Sequence, residues 1–83
     1  MGHARRRPKR LAEKLLQIRS ALGLSQGDMA KRLSVEISAK HISRYEGDLS
    51  EPPIEVLLGY ARFAKVRLEQ IVDDDADLTL PAS

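Results

Sequence analysis

Two closely spaced helix starts within residues 24–47 constrain this 83-residue chain more than any other feature of its sequence. Ser25 is a favourable N-cap residue with Asp28 three positions later, and Ser38 repeats the signal further along the chain. Gly47 can adopt the left-handed conformation that commonly ends a helix. We therefore predict two short helices of about two turns each, joined by about four residues.

Such a pair of helices has the layout of a helix-turn-helix motif. In the second helix, over about residues 38–46, the outward side chains are Lys40, His41, Ser43 and Arg44, which all form hydrogen bonds and include no acid. This face suits the base edges and phosphates of nucleic acid. Lys40 and Arg44 lie four residues apart on one helix face. In a helix that is not part of such a motif, exposure to solvent would be enough to explain this face.

Apolar residues recur with helical spacing in three further segments, and no segment alternates with a period of two. Leu11 to Leu22 form the first helix, with Leu16 among its inward residues. Gly23 ends that helix, and Pro53 is expected to be the first residue of the fourth. The apolar residues of the last two predicted helices are Ile54, Leu57, Leu58, Ala61 and Ala64, then Val66, Leu68, Ile71 and Val72. The sequence therefore predicts an all-α fold, a compact five-helix bundle with an aliphatic core.

The two ends of the chain carry opposite charge, although the net charge is only +2. The basic residues of the first ten are Arg5, Arg6, Arg7, Lys9 and Arg10, and the acidic residues near the other end are Asp73, Asp74, Asp75 and Asp77. We expect a basic N-terminal arm over 1–10, a folded domain over 11–72 and an acidic C-terminal tail over 73–83. A basic arm is typical of nucleic-acid contact, whereas a solvated end explains the same composition.

Other chemistries find little support among the residues. The sequence has no cysteine, and only His3 and His41 could act as general bases near neutral pH, with no nucleophile arranged beside them. We therefore expect no enzyme activity and no cofactor. The acidic run over 73–77 lacks the spaced ligands and the glycine of a calcium loop, which favours a solvated tail over a metal site. Since no apolar run could span a membrane and no signal peptide is present, a cytoplasmic location is expected.

From about residue 11 to residue 72 the chain resembles the lambda-repressor/Cro-type helix-turn-helix domain, also called the xenobiotic-response-element family of bacterial and phage regulators. The resemblance rests on an ordered set of residues at family spacing, namely Ile18-Arg19, Gly23-Leu24-Ser25-Gln26, Met29-Ala30, Leu33, Ile42-Ser43, Glu46-Gly47, Pro52, Leu57-Leu58, Ala61, Val66 and Leu68. It implies a compact five-helix bundle whose third helix enters the major groove. It also implies sequence-specific binding of double-stranded DNA, transcription regulation and assembly as a homodimer.

The resemblance assigns roles to the residues that match family positions. Gln26 matches a glutamine that contacts the DNA backbone and braces the recognition helix. The alternative is that Gln26 is an ordinary residue at the start of a helix, with neither role. Ala39 and Lys40 match base-contacting positions near the start of the third helix, and Arg44 matches a later one. Lysine and arginine there favour guanine O6 and N7, whereas the methyl group of Ala39 can only contact thymine.

The remaining polar residues of the motif are expected to position it or to contact the DNA backbone. Ser38 and Ser43 are better placed for phosphate contacts or capping, and His41 for a phosphate contact or plain exposure. Arg19 and Glu46 match a family pair that links the first helix to the end of the third. The alternative is that the two residues are ordinary surface charges that do not meet.

Three departures from the family pattern limit the resemblance. Two extra residues between Leu33 and Ile42 lengthen the turn, which also lacks its usual glycine. Lys65 and Arg67 stand where a helix-ending glycine and a capping serine are common. We therefore expect an irregular join between the fourth and fifth helices.

An alternative function on the same fold is a protein-interaction module, such as an antitoxin or a transcriptional adaptor. An apolar surface formed by Leu49, Leu58, Leu78 or Leu80 would favour such a partner, or the homodimer. The absence of acids on the outward face of the third helix favours DNA.

Overall fold

Five α-helices form the fold in the computed structural model, which describes residues 8–81. No strand occurs in this range, which confirms the predicted all-α bundle. The helices are α1 (Leu11–Leu22), α2 (Gln26–Leu33), α3 (Ala39–Glu46), α4 (Ile54–Ala64) and α5 (Leu68–Val72).

One hydrophobic core receives fully buried side chains from all five helices. Its fully buried members include Leu15, Ile18, Met29, Ile42, Tyr60 and Ile71. Each such aliphatic side chain stabilises the fold by about 1.5–3 kcal/mol. Because α3 packs against α2 and α1, and α4 packs against α1, α2 and α5, this core fixes the α2–α3 pair on a rigid support.

Three helices end in the same way, with one residue in the left-handed conformation. These residues are Gly23 after α1, Asp48 after α3 and Lys65 after α4, with φ of 70°, 60° and 58°. In each case the next residue donates its N–H to a carbonyl five positions earlier, which is the Schellman motif. The expected irregular join after α4 is therefore wrong, because Lys65 adopts the conformation that glycine usually supplies.

The helix α3 ends at Glu46 as predicted, but the predicted left-handed residue after it is wrong by one position. Gly47 has a φ of −89°, and the left-handed position is the following Asp48. Aspartate tolerates this conformation better than most residues because its short side chain can hydrogen-bond locally. A methyl group on Gly47 would lie 3.2 Å from the carbonyl oxygen of Ser43, so close packing accounts for the glycine better than a positive φ does.

The start and the inward face of α4 differ from the prediction. Pro53 is the extended N-cap residue, and the helix begins at Ile54. Ile54 and Leu58 are exposed, whereas Val56 and Tyr60 are buried. The buried face of α4 is centred on Tyr60. Leu58 therefore lies at the edge of that face, and Ile54 in the first turn lies outside it.

A buried lysine joins α1 to the segment that follows α5. Lys14 is only 1% exposed, and its Nζ donates to the carbonyl oxygens of Gln70, Asp73 and Ala76 at 2.7, 2.9 and 2.7 Å. These bonds use all three N–H donors of the ammonium group, which is what permits its burial. Leu16, predicted to face inward, is exposed instead.

Asp74 supplies the N-terminal cap that α1 lacks in its own sequence. Its carboxylate accepts the backbone N–H groups of Lys9 and Arg10 at 2.8 and 2.9 Å, and these bonds lower the pKa of Asp74. The guanidinium of Arg10 also donates to the Asp74 carbonyl and to Asp77. The expectation of a purely solvated acidic tail is therefore wrong for Asp74. The predicted arm residues 1–7 lie outside the described residues.

Substituting Lys65 by glycine is expected to stabilise the protein. A left-handed conformation costs an ordinary residue about 1–2 kcal/mol, while glycine loses more chain entropy on folding, so we expect a net gain of about 0.5–1 kcal/mol. Denaturant unfolding measures this change.

The matched control is Gly23→Ala, which places a residue with a side chain in the same left-handed conformation. The added methyl group would meet no atom within 4 Å, so only the backbone strain changes. This substitution should lower the free energy of unfolding. Equal stability of Lys65→Gly and the parent would show that Lys65 is not strained.

Candidate nucleic-acid interface

The helix α3 turns one face to the core and the opposite face outward. Ile42 and Tyr45 are buried, as predicted. The exposed residues of the helix are Ala39, Lys40, His41, Ser43 and Arg44. The inward and outward assignment of this helix is therefore confirmed, despite the longer turn that precedes it.

Side-chain caps fix the first turns of both helices of the motif. Ser25 Oγ accepts the backbone N–H of Asp28 at 3.0 Å, which confirms the predicted cap of α2. Ser38 is the N-cap residue of α3, and its backbone N–H donates to Nδ1 of His41 at 3.1 Å. His41 therefore performs the role that Glu or Gln has in a capping box. This role of His41 was not predicted, although the Ser-x-x-His spacing carries the signal.

The connection between α2 and α3 is a serine-based turn over residues 34–38. Ser34 Oγ accepts the N–H of Glu36 at 3.1 Å, and the Ser34 carbonyl accepts the N–H of Ile37 at 3.2 Å. Val35 lies at the tip of the turn with its side chain almost fully exposed. These bonds close the longer turn without the glycine that is usual in the family.

Arg19 and Glu46 form the predicted link between α1 and the end of α3. Arg19 Nε and Nη2 donate to the two carboxylate oxygens of Glu46 at 2.6 and 3.0 Å. Arg19 Nη1 also donates to the Leu24 carbonyl at 2.9 Å. The bonded carboxylate raises the pKa of Arg19. The Glu46 side chain is 7% exposed, so this is a largely desolvated, bidentate pair rather than a surface contact.

Gln26 extends this pair into a network of three helices. Its Nε2 donates to Glu46 Oε1 at 3.2 Å, so the first residue of α2 is bonded to the last residue of α3. Gln26 therefore braces the recognition helix through Glu46, in line with the role that the resemblance implies. Its expected contact with the DNA backbone stays a prediction.

The long side chains on the outer face of α3 differ in how they are held. Arg44 is exposed, and its Nε donates to Ser50 Oγ at 3.0 Å in the loop after the helix. Lys40 is exposed one turn earlier. The two residues share one face, as predicted, and their contacts with bases or phosphates stay predictions.

Over residues 8–81, no group of three or more His, Cys, Asp or Glu residues is arranged to hold a metal ion. Within the same range, no helix combines the length and the apolar character needed to cross a membrane.

Substituting Glu46 by alanine is expected to lower the free energy of unfolding by about 1–3 kcal/mol, because Arg19 would remain partly desolvated without its partner. Chemical denaturation measures this loss.

Glu69→Ala is the matched control, since Glu69 pairs with Arg67 across 3.5 Å and both side chains are more than half exposed. Such a surface pair contributes about 0–1 kcal/mol, so this variant should be nearly as stable as the parent. Equal losses in the two variants would contradict a special role for the Arg19–Glu46 pair.

Comparison with known proteins agrees with this geometry. A family model described as helix-turn-helix matches residues 10–71. The P22 c2 repressor, in a crystal structure with synthetic operator 9T, is similar with a TM-score of 0.68 and 23% sequence identity over 78% of this chain and 96% of that chain. No curated protein matches this sequence. Because the family model covers most of the chain and the helices form its motif, the protein belongs to the lambda-repressor/Cro-type helix-turn-helix family.

Proposed function

We propose that this protein binds double-stranded DNA sequence-specifically as a transcription regulator, with the outer face of α3 in the major groove. The observation that carries the proposal is an exposed α3 face with no acid, on a helix held at both ends. The cap between Ser38 and His41 holds the start, and the bonds of Glu46 to Arg19 and Gln26 hold the end. The similarity of this fold to the P22 c2 repressor, whose structure was solved in complex with a synthetic operator, supports the same function.

The electrostatics of α3 favour an anionic partner. Its one acid, Glu46, is turned inward and neutralised by Arg19, whereas Lys40 and Arg44 project outward. A helix that docks in the major groove brings side chains one turn apart to neighbouring base pairs. Lysine and arginine donors match guanine O6 and N7, and Arg44 bonds to Ser50 through Nε, which leaves its Nη groups available for such a contact.

Shorter side chains complete the proposed interface. Ala39 offers a methyl group to thymine, and Ser43 offers a hydroxyl group to phosphate. Ser38 is the N-cap residue of α3, and its position at the start of that helix also suits a phosphate contact. Gln26 Nε2 bonds to Glu46, and its amide has further hydrogen-bonding capacity for a DNA phosphate at the start of α2.

A homodimer would place two recognition helices about one DNA turn apart, roughly 34 Å. We propose a two-fold contact near α5 and the segment 68–80. Leu78 and Leu80 are partly buried against the core, so the contact would use the surface that they leave exposed. Binding to DNA in this form would locate the protein at the nucleoid, in the cytoplasm.

The basic arm is proposed to add contacts with phosphates. Arg10 is bonded to Asp74 and Asp77, so the proposed contacts come from the arm residues before it. An informative truncation removes residues 1–7 and keeps Lys9 and Arg10, whose N–H groups bond to Asp74.

A salt-dependent titration with selected and random duplexes tests the function. We expect tighter binding to the selected duplex and two chains for each palindromic site. Without residues 1–7, the log–log salt slope should become shallower by about 0.9 for each lost phosphate contact.

Each part of the proposal has its own contrary result. Equal affinity for selected and random duplexes would contradict sequence specificity, and one chain on a saturated palindrome would contradict the homodimer. An unchanged slope would leave the arm without a role in binding.

A protein-interaction module remains the second candidate, because Leu49 and Leu58 are exposed. On that alternative the protein would bind no duplex in the titration. Leu78 and Leu80 add less to such an apolar surface, since they pack partly against the core.

Alanine at Lys40 or Arg44 is expected to weaken binding to the selected site by about 1–3 kcal/mol and to relax the preference at a few base pairs. The reason is the loss of a side chain that reaches guanine. Binding-site selection with each variant measures the preference.

The control is Arg62→Ala, which removes the same charge from an exposed position on α4. It should leave the base preferences unchanged. Loss of affinity without any altered preference in Lys40→Ala and Arg44→Ala would assign both residues to phosphates instead.

A further inference from the structure

The cap of α3 determines which nitrogen of His41 carries the proton. Nδ1 lies 3.1 Å from the backbone nitrogen of Ser38, and a backbone N–H can only donate. Nδ1 is therefore the acceptor and has no hydrogen. The proton of the neutral ring is then on Nε2, which becomes a hydrogen-bond donor.

The ring is held in a defined position on the exposed face. Ser38 Oγ also lies 3.1 Å from Nδ1, so the serine contacts this nitrogen through two atoms. On the other side, the ring centroid is 6.4 Å from that of Tyr45 at an interplanar angle of 39°, within the range of interacting aromatic pairs. Since Tyr45 is buried, this ring contact holds the exposed side chain of His41 against a residue of the core.

The position of the ring along the helix favours a base edge over the DNA backbone. His41 is the third residue of α3, and recognition helices contact base edges with their N-terminal residues. Its neighbour Lys40 has a long, mobile side chain that can reach either bases or phosphates. The ring of His41 is short and fixed, so it can distinguish partners that present an acceptor from those that present a donor.

We propose that His41 is a specificity-determining residue, whose Nε2–H donates to a base acceptor in the major groove. This inference rests on the proposed DNA-binding function. The acceptors available there are purine N7, guanine O6 and thymine O4, whereas cytosine presents the N4 amino donor. Cytosine at the contacted position would set two donors against each other, so the residue excludes it.

The tautomer can be tested in the whole protein without DNA. A long-range proton–nitrogen correlation spectrum distinguishes the two ring nitrogens of each histidine, and comparison with His41→Asn separates His41 from His3. We expect a bare Nδ1 and a protonated Nε2 for the neutral ring of His41. A proton on Nδ1 would overturn the inference.

Two substitutions separate the cap from the outward donor. In His41→Asn the side-chain oxygen can take the place of Nδ1 and keep the cap, while the outward donor is lost. In His41→Gln the side-chain oxygen can accept the Ser38 N–H, as in an ordinary capping box, while the amide nitrogen takes the place of Nε2. We therefore expect both variants to melt near the parent temperature, so that they differ in the outward donor and not in the cap.

Binding-site selection then measures the preference of each variant. The asparagine variant should lose the exclusion of cytosine at one position in each half-site and bind the selected duplex about twofold to tenfold more weakly, as expected for one hydrogen bond. The glutamine variant should retain that exclusion.

The outcomes distinguish this inference from the function on which it rests. If the parent selects no sequence, the proposed function fails. If the parent selects a sequence and the asparagine variant selects it equally, only the role of His41 fails. A uniform loss of affinity without changed preference would place His41 at a phosphate and also overturn the inference.

Discussion

The ion pair between Arg19 and Glu46 is the interaction on which the orientation of the recognition helix depends. It connects α1 to the end of α3, and Gln26 joins α2 to the same carboxylate. The pair has a second effect, because it holds the one acid of α3 away from the exposed face. A single carboxylate thus fixes the position of the helix and leaves its outer surface without negative charge. These two effects together make α3 suitable for an anionic partner.

Local signals explain why much of the fold was predictable from the sequence. The five helices and the N-caps at Ser25 and Ser38 depend on side chains within a few residues of each other. Periodicity also placed Ile42 and Tyr45 inward and so defined the outer face of α3. The link from Arg19 to Glu46 was reached only through the resemblance, because no spacing rule joins residues so far apart.

The features that were missed have partners distant in sequence, or residue types that are unusual for their role. Lys14 bonds to main-chain carbonyls beyond α5, and such acceptors leave no pattern in side-chain identities. Asp74 caps a helix from the opposite end of the described chain, and Lys65 takes a conformation usually given to glycine. His41 accepts the capping N–H where glutamate is the familiar residue, so its role became visible only with the position of its ring nitrogen.

The bonds that satisfy the buried Lys14 reach beyond the region that the family model matches. The family match ends at residue 71, yet two of the three acceptors of this ammonium group belong to Asp73 and Ala76. A protein cut after Val72 would keep the charge in the core with one acceptor in place of three. It would also lose the carboxylate that caps α1. The contacts that stabilise the helices therefore extend past the matched region to Ala76, and a fusion partner should be joined beyond that residue.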